Sequence, residues 1–331
     1  MISDRTPLFP PKIKPVVGYD SRPLWSVVIP TYNCSNFLPQ TLNSVLAQAR
    51  SLDEMQIMVV DDCSTDGEVQ PIVERVGKGR VDFFRQNENV GSLRNFETCI
   101  NKSRGQWIHI LHGDDQVKPG FYSEIENLFN QYPTVGAAVT GLSAIDENGA
   151  VLFHYGRVQS HLGAIENWLQ KISARQFFES CAIVVKRTVY EELGGFYGVH
   201  YGEDWEMWVR IASKYPVAYS PQLLALYRLH GNNISTRAFS TGQNFKDIQT
   251  VINIIQKYLP VEKRKEAKNM AKKHFSLYFT NNAQNIYKNH GDPTVALKQA
   301  TGALSLHFNK STLVSLLKLY MKILLRYQKR L

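Results

Sequence analysis

The chain has 331 residues, 44% of them hydrophobic and 20% charged, with ordinary glycine (21) and proline (14) counts. This composition can bury a sizeable core and excludes disordered and collagen-like classes, and no apolar run reaches the about 18 residues of a membrane span. The formal net charge of +9 is uneven: residues 246–331 carry 16 basic side chains against 4 acidic ones, while the remainder nets −3.

The first twenty residues include Pro7, Pro10, Pro11 and Pro15 but no apolar h-region. They are expected to form an extended arm (residues 1–24) and not a signal peptide. Trp25–Ile29 reads as a strand closed by Pro30. Leu38, Leu42, Val45, Leu46 and Ala49 recur at helical spacing after it. Gln56–Val60 is a second strand, stopped by Asp61, Asp62 and the turn residues Ser64–Gly67. Ile72, Val73 and Val76 mark a short helix, and Val81–Phe84 a third strand. Leu93, Phe96, Cys99 and Ile100 mark a helix after Gly91, and Trp107–Leu111 is a fourth strand. The alternation predicts an α/β fold with a mostly parallel, Rossmann-like sheet and flanking helices. Val135–Val139, Ala182–Val185 and Leu223–Leu229 are further strands, and Glu203–Lys214 a helix. Strand signals stop near residue 240, so a catalytic domain is expected over 25–240 and a basic helical region over 241–331. Cys34, Cys63, Cys99 and Cys181 have neither metal-ligand nor redox spacing and read as free thiols of a cytosolic protein.

In open parallel sheets, ligands bind beyond the carboxyl ends of the strands. Three of those ends carry Pro30-Thr31-Tyr32-Asn33, Asp61-Asp62-Cys63-Ser64 and Gly113-Asp114-Asp115. Each acidic pair also fits an ordinary turn or helix cap. Two pairs on adjacent strand ends repel unless a cation or a hydrogen-bonding ligand offsets them.

At these residues the sequence resembles the family 2 glycosyltransferases of the GT-A fold. The resemblance rests on SVVIPTYN (Ser26–Asn33), VVDDCSTDG (Val59–Gly67), NVGSLRN (Asn89–Asn95), LHGDD (Leu111–Asp115), GEDWEMWVRI (Gly202–Ile211) and YRLHGNNIS (Tyr227–Ser235). It implies a nucleotide-sugar donor, a UDP-sugar, lying across the strand ends. Pro30, Thr31, Tyr32 and Asn33 would hold the nucleoside, Asp62 would accept from the base edge, and Arg94 would lie near the base or diphosphate. Asp115 would bind a divalent cation, Mg2+ or Mn2+, with Asp114 at the ribose or the metal shell and His230 completing that shell. Arg228 and Ser235 would be near the phosphates. Many members have an aspartate where His112 stands. That leaves the division of labour between Asp114 and Asp115 open, and His112 is either a participant or only a strand-end residue. Glu203-Asp204 matches the family's acidic pair at a helix start, with Asp204 as the general base of an inverting displacement; helix capping explains the pair equally well locally. Trp205 and Trp208 read as core residues.

A nucleotidyltransferase is the rival enzyme, but Pro30–Ser35 is neither glycine-rich nor basic. A degenerate nucleotide-binding scaffold would have lost Asp62, Asp115 or Asp204. In the basic region, Ser311–Leu331 reads as one amphipathic helix with Lys318, Lys322, Arg326, Lys329 and Arg330 on a single stripe. It fits either an interfacial helix on an anionic membrane or packing inside a helical subdomain, and a lipid-linked or envelope glycan acceptor is inferred by association with it. Ala283–Leu306 is similar to a single tetratricopeptide-like hairpin. No nucleic-acid motif accompanies the charge.

Overall fold

The structure, a computed structural model, describes residues 5–17, 22–231 and 233–325. Contacts divide the chain into two compact units. The first holds the chain up to Trp168 together with Phe177–Gly198 and Arg210–His230; the second holds Leu169–Gln176, Val199–Val209 and the chain from Gly231 on.

The first unit is a ten-stranded sheet. Its amino-terminal half alternates β1 (Trp25–Thr31), α1 (Leu38–Leu46), β2 (Met55–Asp61), α2 (Val69–Gly77), β3 (Asp82–Arg85), α3 (Ser92–Lys102) and β4 (Trp107–Ile110). Then follow β5 (Gln116–Val117), α4 (Phe121–Gln131), β6 (Ala137–Ile145), β7 (Val151–His154), β8 (Gly163–Ala164), β9 (Ile183–Lys186), α6 (Arg187–Leu193) and β10 (Val217–Arg228), while α5 (Trp168–Ala174) and α7 (Glu203–Ala212), which interrupt them in the chain, belong mostly to the second unit. The strand order is β3-β2-β1-β4-β9-β6-β10-β5, with β7 paired to β6 and β8 to β10. β1, β2, β3 and β4 pair in parallel, as do β6 and β10. β9 lies antiparallel between β4 and β6. β1 and β6 are buried along their whole length, as central strands covered on both faces require.

Pro30 does not end the first strand. β1 runs on to Thr31, and its ladder with β4 closes at Val28–Ile110. The Pro30 carbonyl accepts from Gly113 N at 3.1 Å, so the missing N–H falls on the side where that ladder has already ended. The last strand is longer than its apolar run, beginning at Val217 and bending through register shifts around Pro221. The arm lies along this unit: Gly195 N donates to Pro11 O, Gly198 N to Pro7 O, and buried Arg187 to Lys14 O.

The second unit contains α8 (Ile234–Thr241), α9 (Gln243–Ile255), α10 (Val261–His290), α11 (Pro293–Leu306) and α12 (Lys310–Leu324). The hairpin signal at Gly291-Asp292-Pro293 is realised residue by residue: Gly291 ends α10 with φ 68°, Asp292 caps α11 through Val295 N, and Pro293 opens it. Small residues let these helices approach closely. Ala283, Ala296 and Ala300 pack with Tyr287, Leu316 and Leu319. Arg326, Lys329 and Arg330 lie outside the described residues.

Close approach of strand ends fixes one glycine. A Cβ on Gly113 would lie 2.7 Å from both Cys34 Sγ and Thr31 Cγ2. Gly113→Ala should cost about 1–3 kcal/mol through overpacking, read as a lowered midpoint in urea unfolding.

Candidate active site

The ends of β1 and β2 form one wall of the site. Thr31 stands opposite Asp61 in register, its hydroxyl 3.3 Å from Asp61 Oδ1. Tyr32 is half open to solvent. Asn33 adopts φ 52°; its N–H donates to Ser64 Oγ and its Oδ1 accepts from Thr65 N at 2.8 Å. The two acidic pairs do not stand on adjacent strands, because β1 lies between β2 and β4, and the protein itself supplies partners to the first pair. Asp61 accepts from the Arg85 guanidinium at 2.6 Å and from the Ser64 hydroxyl at 2.5 Å. Asp62 accepts from Val90 N at 2.7 Å, Gly91 N at 2.9 Å and Asn89 Nδ2 at 2.9 Å. Burial still raises the Asp62 carboxyl, against the pull of the Val90 and Gly91 amides and of Arg5. Arg5 arrives from the arm, donates to Asn89 Oδ1 and lies beside Gly91. Arg94, at the start of α3, pairs with Glu97 at 2.8 Å.

The turn after β4 forms the floor. Thr41 of α1 donates to Asp115 O at 2.7 Å and Gly113 O at 3.0 Å, which fixes the turn. His230 Nε2 lies 2.9 Å from Asp114 Oδ2, with its ring against Phe37. Burial pushes Asp114 up, but the His230 hydrogen bond and the neighbouring histidine charges outweigh it, so its carboxyl is held below the usual range. Asp115 is the opposite case. It is 1% exposed, and burial followed by the Asp114 charge raises it well above the usual range, against the Arg228 N–H at 2.9 Å.

Arg228 is not available to a phosphate. It belongs to β10 and is buried, and its guanidinium donates to Asp114 O, Asp146 O, Glu147 O and Gln40 Oε1 at 2.7–2.8 Å.

His112, Asp114 and Asp115 each offer a ligand atom within 4.8 Å of the others. Among the described residues, His112 Nε2 and Asp115 Oδ2 are buried with no hydrogen-bond partner. Two carboxylates and an imidazole form a donor set that divalent cations accept, and the two orphaned atoms are those such an ion would satisfy.

Glu203 and Asp204 open α7 in the second unit. Asp204 is 9% exposed. Its Oδ2 accepts from Gln176 Nε2 at 2.7 Å and its Oδ1 from Trp205 N at 2.7 Å. Burial raises its carboxyl to about 6, against these two donors. Trp205 is fully buried, donates from Nε1 to Ile172 O at 2.7 Å and packs on Phe275, so it is a core residue. Buried Glu206 accepts from the Tyr258 hydroxyl at 2.5 Å.

The glycosyl transferase family 2 model matches residues 26–194. The chain belongs to glycosyl transferase family 2. It is a glycosyltransferase, and the nucleotidyltransferase reading falls with that membership. An uncharacterized protein of Mycobacterium tuberculosis is 27% identical over 70% of this chain and 75% of its own length. An uncharacterized glycosyltransferase of Rickettsia felis is 26% identical over 65% of this chain, which spans 36% of that relative. Among solved structures, S. aureus TarS 1-349 in complex with UDP-GlcNAc superposes with TM-score 0.63 at 16% identity, covering 92% of this chain and 93% of that one. The mannosyltransferase PcManGT of Pyrobaculum calidifontis, in complex with GDP-Man and Mn2+, superposes with TM-score 0.57 at 17% identity, covering 97% and 84%. These likenesses establish the GT-A fold. Among the described residues no helix is long and apolar enough to cross a membrane.

Pro30, Thr31, Tyr32, Asn33, Asp62, Arg94, Asp114, Asp115 and His230 all belong to the first unit of this glycosyltransferase, and Glu203 and Asp204 to the second. Arg85 belongs to none of the motifs, although its register opposite Asp61 follows once β2 and β3 are paired. Thr41, Gln40 and Gln176 carry no signal in the linear chain and are recruited by packing. The Gln176–Asp204 contact gives a direct test. Gln176→Met removes the donor, so the Asp204 carboxyl should titrate above about 6, followed as a difference in carboxyl infrared bands against Asp204→Asn.

Proposed function

We propose that this glycosyltransferase moves a sugar from a nucleotide-sugar donor, a UDP-sugar, to a hydroxyl acceptor with inversion at the sugar carbon, in the synthesis of a cell-envelope or other polysaccharide glycan. The observation that carries the reading is the turn after β4, where Asp115 is buried with one carboxylate oxygen unpartnered beside Asp114 and His112. The complexes of TarS with UDP-GlcNAc and of PcManGT with GDP-Man and Mn2+ support it as relatives by fold.

The residues take these roles. Pro30, Thr31, Tyr32 and Asn33 seat the nucleoside against the β1–β2 wall. Asp62 turns its remaining acceptor capacity to a base N–H, and Arg94 faces the base or diphosphate. Asp115 and Asp114 would hold a divalent cation, Mg2+ or Mn2+, with His230 reached through the Asp114 carboxylate it hydrogen-bonds. When bound, such a cation offsets negative charge on the departing diphosphate. Glu203 lines the sugar side. Asp204 takes the proton of the acceptor hydroxyl as its oxygen bonds to the sugar carbon and the bond to the diphosphate breaks. A carboxyl raised to about 6 suits this task, since a base is most effective near the working pH.

The test has three arms. UDP release against a panel of nucleotide-sugars identifies the donor, and chelation of divalent ions should abolish that release. Asp204→Asn should lower kcat by roughly 10² or more with the donor KM nearly unchanged. Because the base must be ionised, the wild-type rate should fall about tenfold per pH unit below about 6, and the variant should lose that limb. A turnover within a few-fold of wild type would make Asp204 a helix cap.

We also assign an anionic lipid surface to the outer face of α12. Leu316 and Leu319 pack inward, whereas Leu317, Tyr320, Met321 and Leu324 are exposed on one stripe, flanked by exposed Lys318. The net +12 of residues 246–331 complements such a surface at about 1 kcal/mol per basic residue near it. The enzyme should pellet with phosphatidylserine vesicles at low salt and be released as salt rises. Leu317→Ser with Met321→Ser should abolish pelleting while donor turnover on a soluble acceptor persists. Unchanged pelleting would assign the face to a protein contact.

A further inference from the structure

Two histidines three residues apart bracket the end of β4, His109 buried and His112 half-buried, and they are in opposite states. His109 is fully buried and both its ring nitrogens are engaged, Nδ1 with the Tyr122 hydroxyl at 3.3 Å and Nε2 with Cys181 O at 3.1 Å. It is a core residue whose polar atoms are satisfied. His112 has the same ring and no such partner: its Nε2 is buried without a hydrogen bond among the described residues. Phe96 stacks on its face, with ring centroids 5.2 Å apart and planes 9° from parallel. Stacking fixes the orientation of the ring but leaves its edge nitrogen unpartnered, and a buried imidazole nitrogen without a partner is unfavourable. The neighbouring orphan is Asp115 Oδ2, on a side chain 1% exposed. The ligand atoms of His112, Asp114 and Asp115 lie within 4.8 Å of one another, close to the about 4.3 Å between opposite ligands when each bond is 2.0–2.2 Å long.

We infer that His112 gives a nitrogen ligand to the divalent cation of the Asp114–Asp115 site, so that this glycosyltransferase prefers Mn2+ to Mg2+. The inference rests on the proposed reading of that turn as a cation site. Mg2+ takes oxygen ligands in near-ideal octahedral geometry and dehydrates reluctantly. Imidazole suits the transition metals, and Mn2+ also accepts carboxylate oxygen. Replacing one carboxylate of the set by a neutral imidazole also removes one negative charge from a buried cluster in which Asp115 already feels Asp114. His230 contributes differently, since its Nε2 is held by Asp114 Oδ2.

The experiment is electron spin echo envelope modulation on the full chain loaded with Mn2+, alone and with UDP, beside Mg2+ competition followed by the signal of free Mn2+. Wild type and His230→Asn should both show 14N modulation from a coordinated imidazole. His112→Asp should lose it, and its preference for Mn2+ over Mg2+ should fall by about tenfold or more, since even outer-shell partners carry that much metal affinity. His112→Phe keeps a ring to stack on Phe96 and removes the nitrogen, so it should fold and also lose the modulation. Modulation that survives in His112→Asp and disappears in His230→Asn would assign the nitrogen to His230 and overturn the inference. Bound Mn2+ with no 14N modulation in wild type would overturn it while leaving the cation site standing. Absence of Mn2+ binding with or without UDP would remove the cation site itself.

Discussion

One buried guanidinium holds the acidic turn in place. Arg228, at the end of β10, donates to the carbonyls of Asp114, Asp146 and Glu147 and to the side chain of Gln40. Its own N–H donates to Asp115 Oδ1. The turn after β4, the start of α1 and the loop after β6 are thereby tied to one side chain. A buried cation is tolerable only when its donors are all engaged, and carbonyls at strand ends need donors from outside the ladder. Arg228 meets both requirements at once. It leaves Asp115 Oδ2 buried and without a hydrogen-bond partner.

The two acidic pairs show how similar residues acquire different roles. Asp61 and Asp62 stand where a neighbouring strand and a loop bring a guanidinium, a hydroxyl and two amides to them. Their charge is offset within the protein, and they become a rigid wall. Asp114 and Asp115 receive one imidazole and one amide between their carboxylates, and burial leaves one of them with a strongly raised carboxyl. The first pair is largely compensated by donors within the protein, and the second is left with an unpartnered carboxylate oxygen. The difference lies in which donors the topology delivers.

The second unit presents Asp204 in a similarly controlled way. Its helix is fastened by Trp205 to Ile172 O and by Glu206 to Tyr258. Gln176 donates to the carboxylate, and burial raises it to about 6. Capping and base chemistry are compatible here, because Oδ1 serves the Trp205 amide while Oδ2 is held by a single side-chain donor.

The sequence by itself determined the parallel α/β core, the alternation of its first four strands with helices, the motif residues at their ends and the helical hairpin at Gly291-Pro293. Hydrophobic periodicity and turn chemistry act over a few residues, and those features are encoded at that range. It also determined the uneven charge. Only the tertiary structure decided that β9 inserts antiparallel between β4 and β6, since a short buried strand carries no signal of its direction. It decided that β1 continues through Pro30, because the neighbouring ladder ends first. It decided that Arg228 is an internal tie and that His112 Nε2 and Asp115 Oδ2 are left without partners at the acidic turn. It decided likewise that Gln176 serves Asp204. Each of these depends on a hydrogen-bond partner contributed by a segment distant in the chain, and the choice of partner for a buried polar group is made by packing.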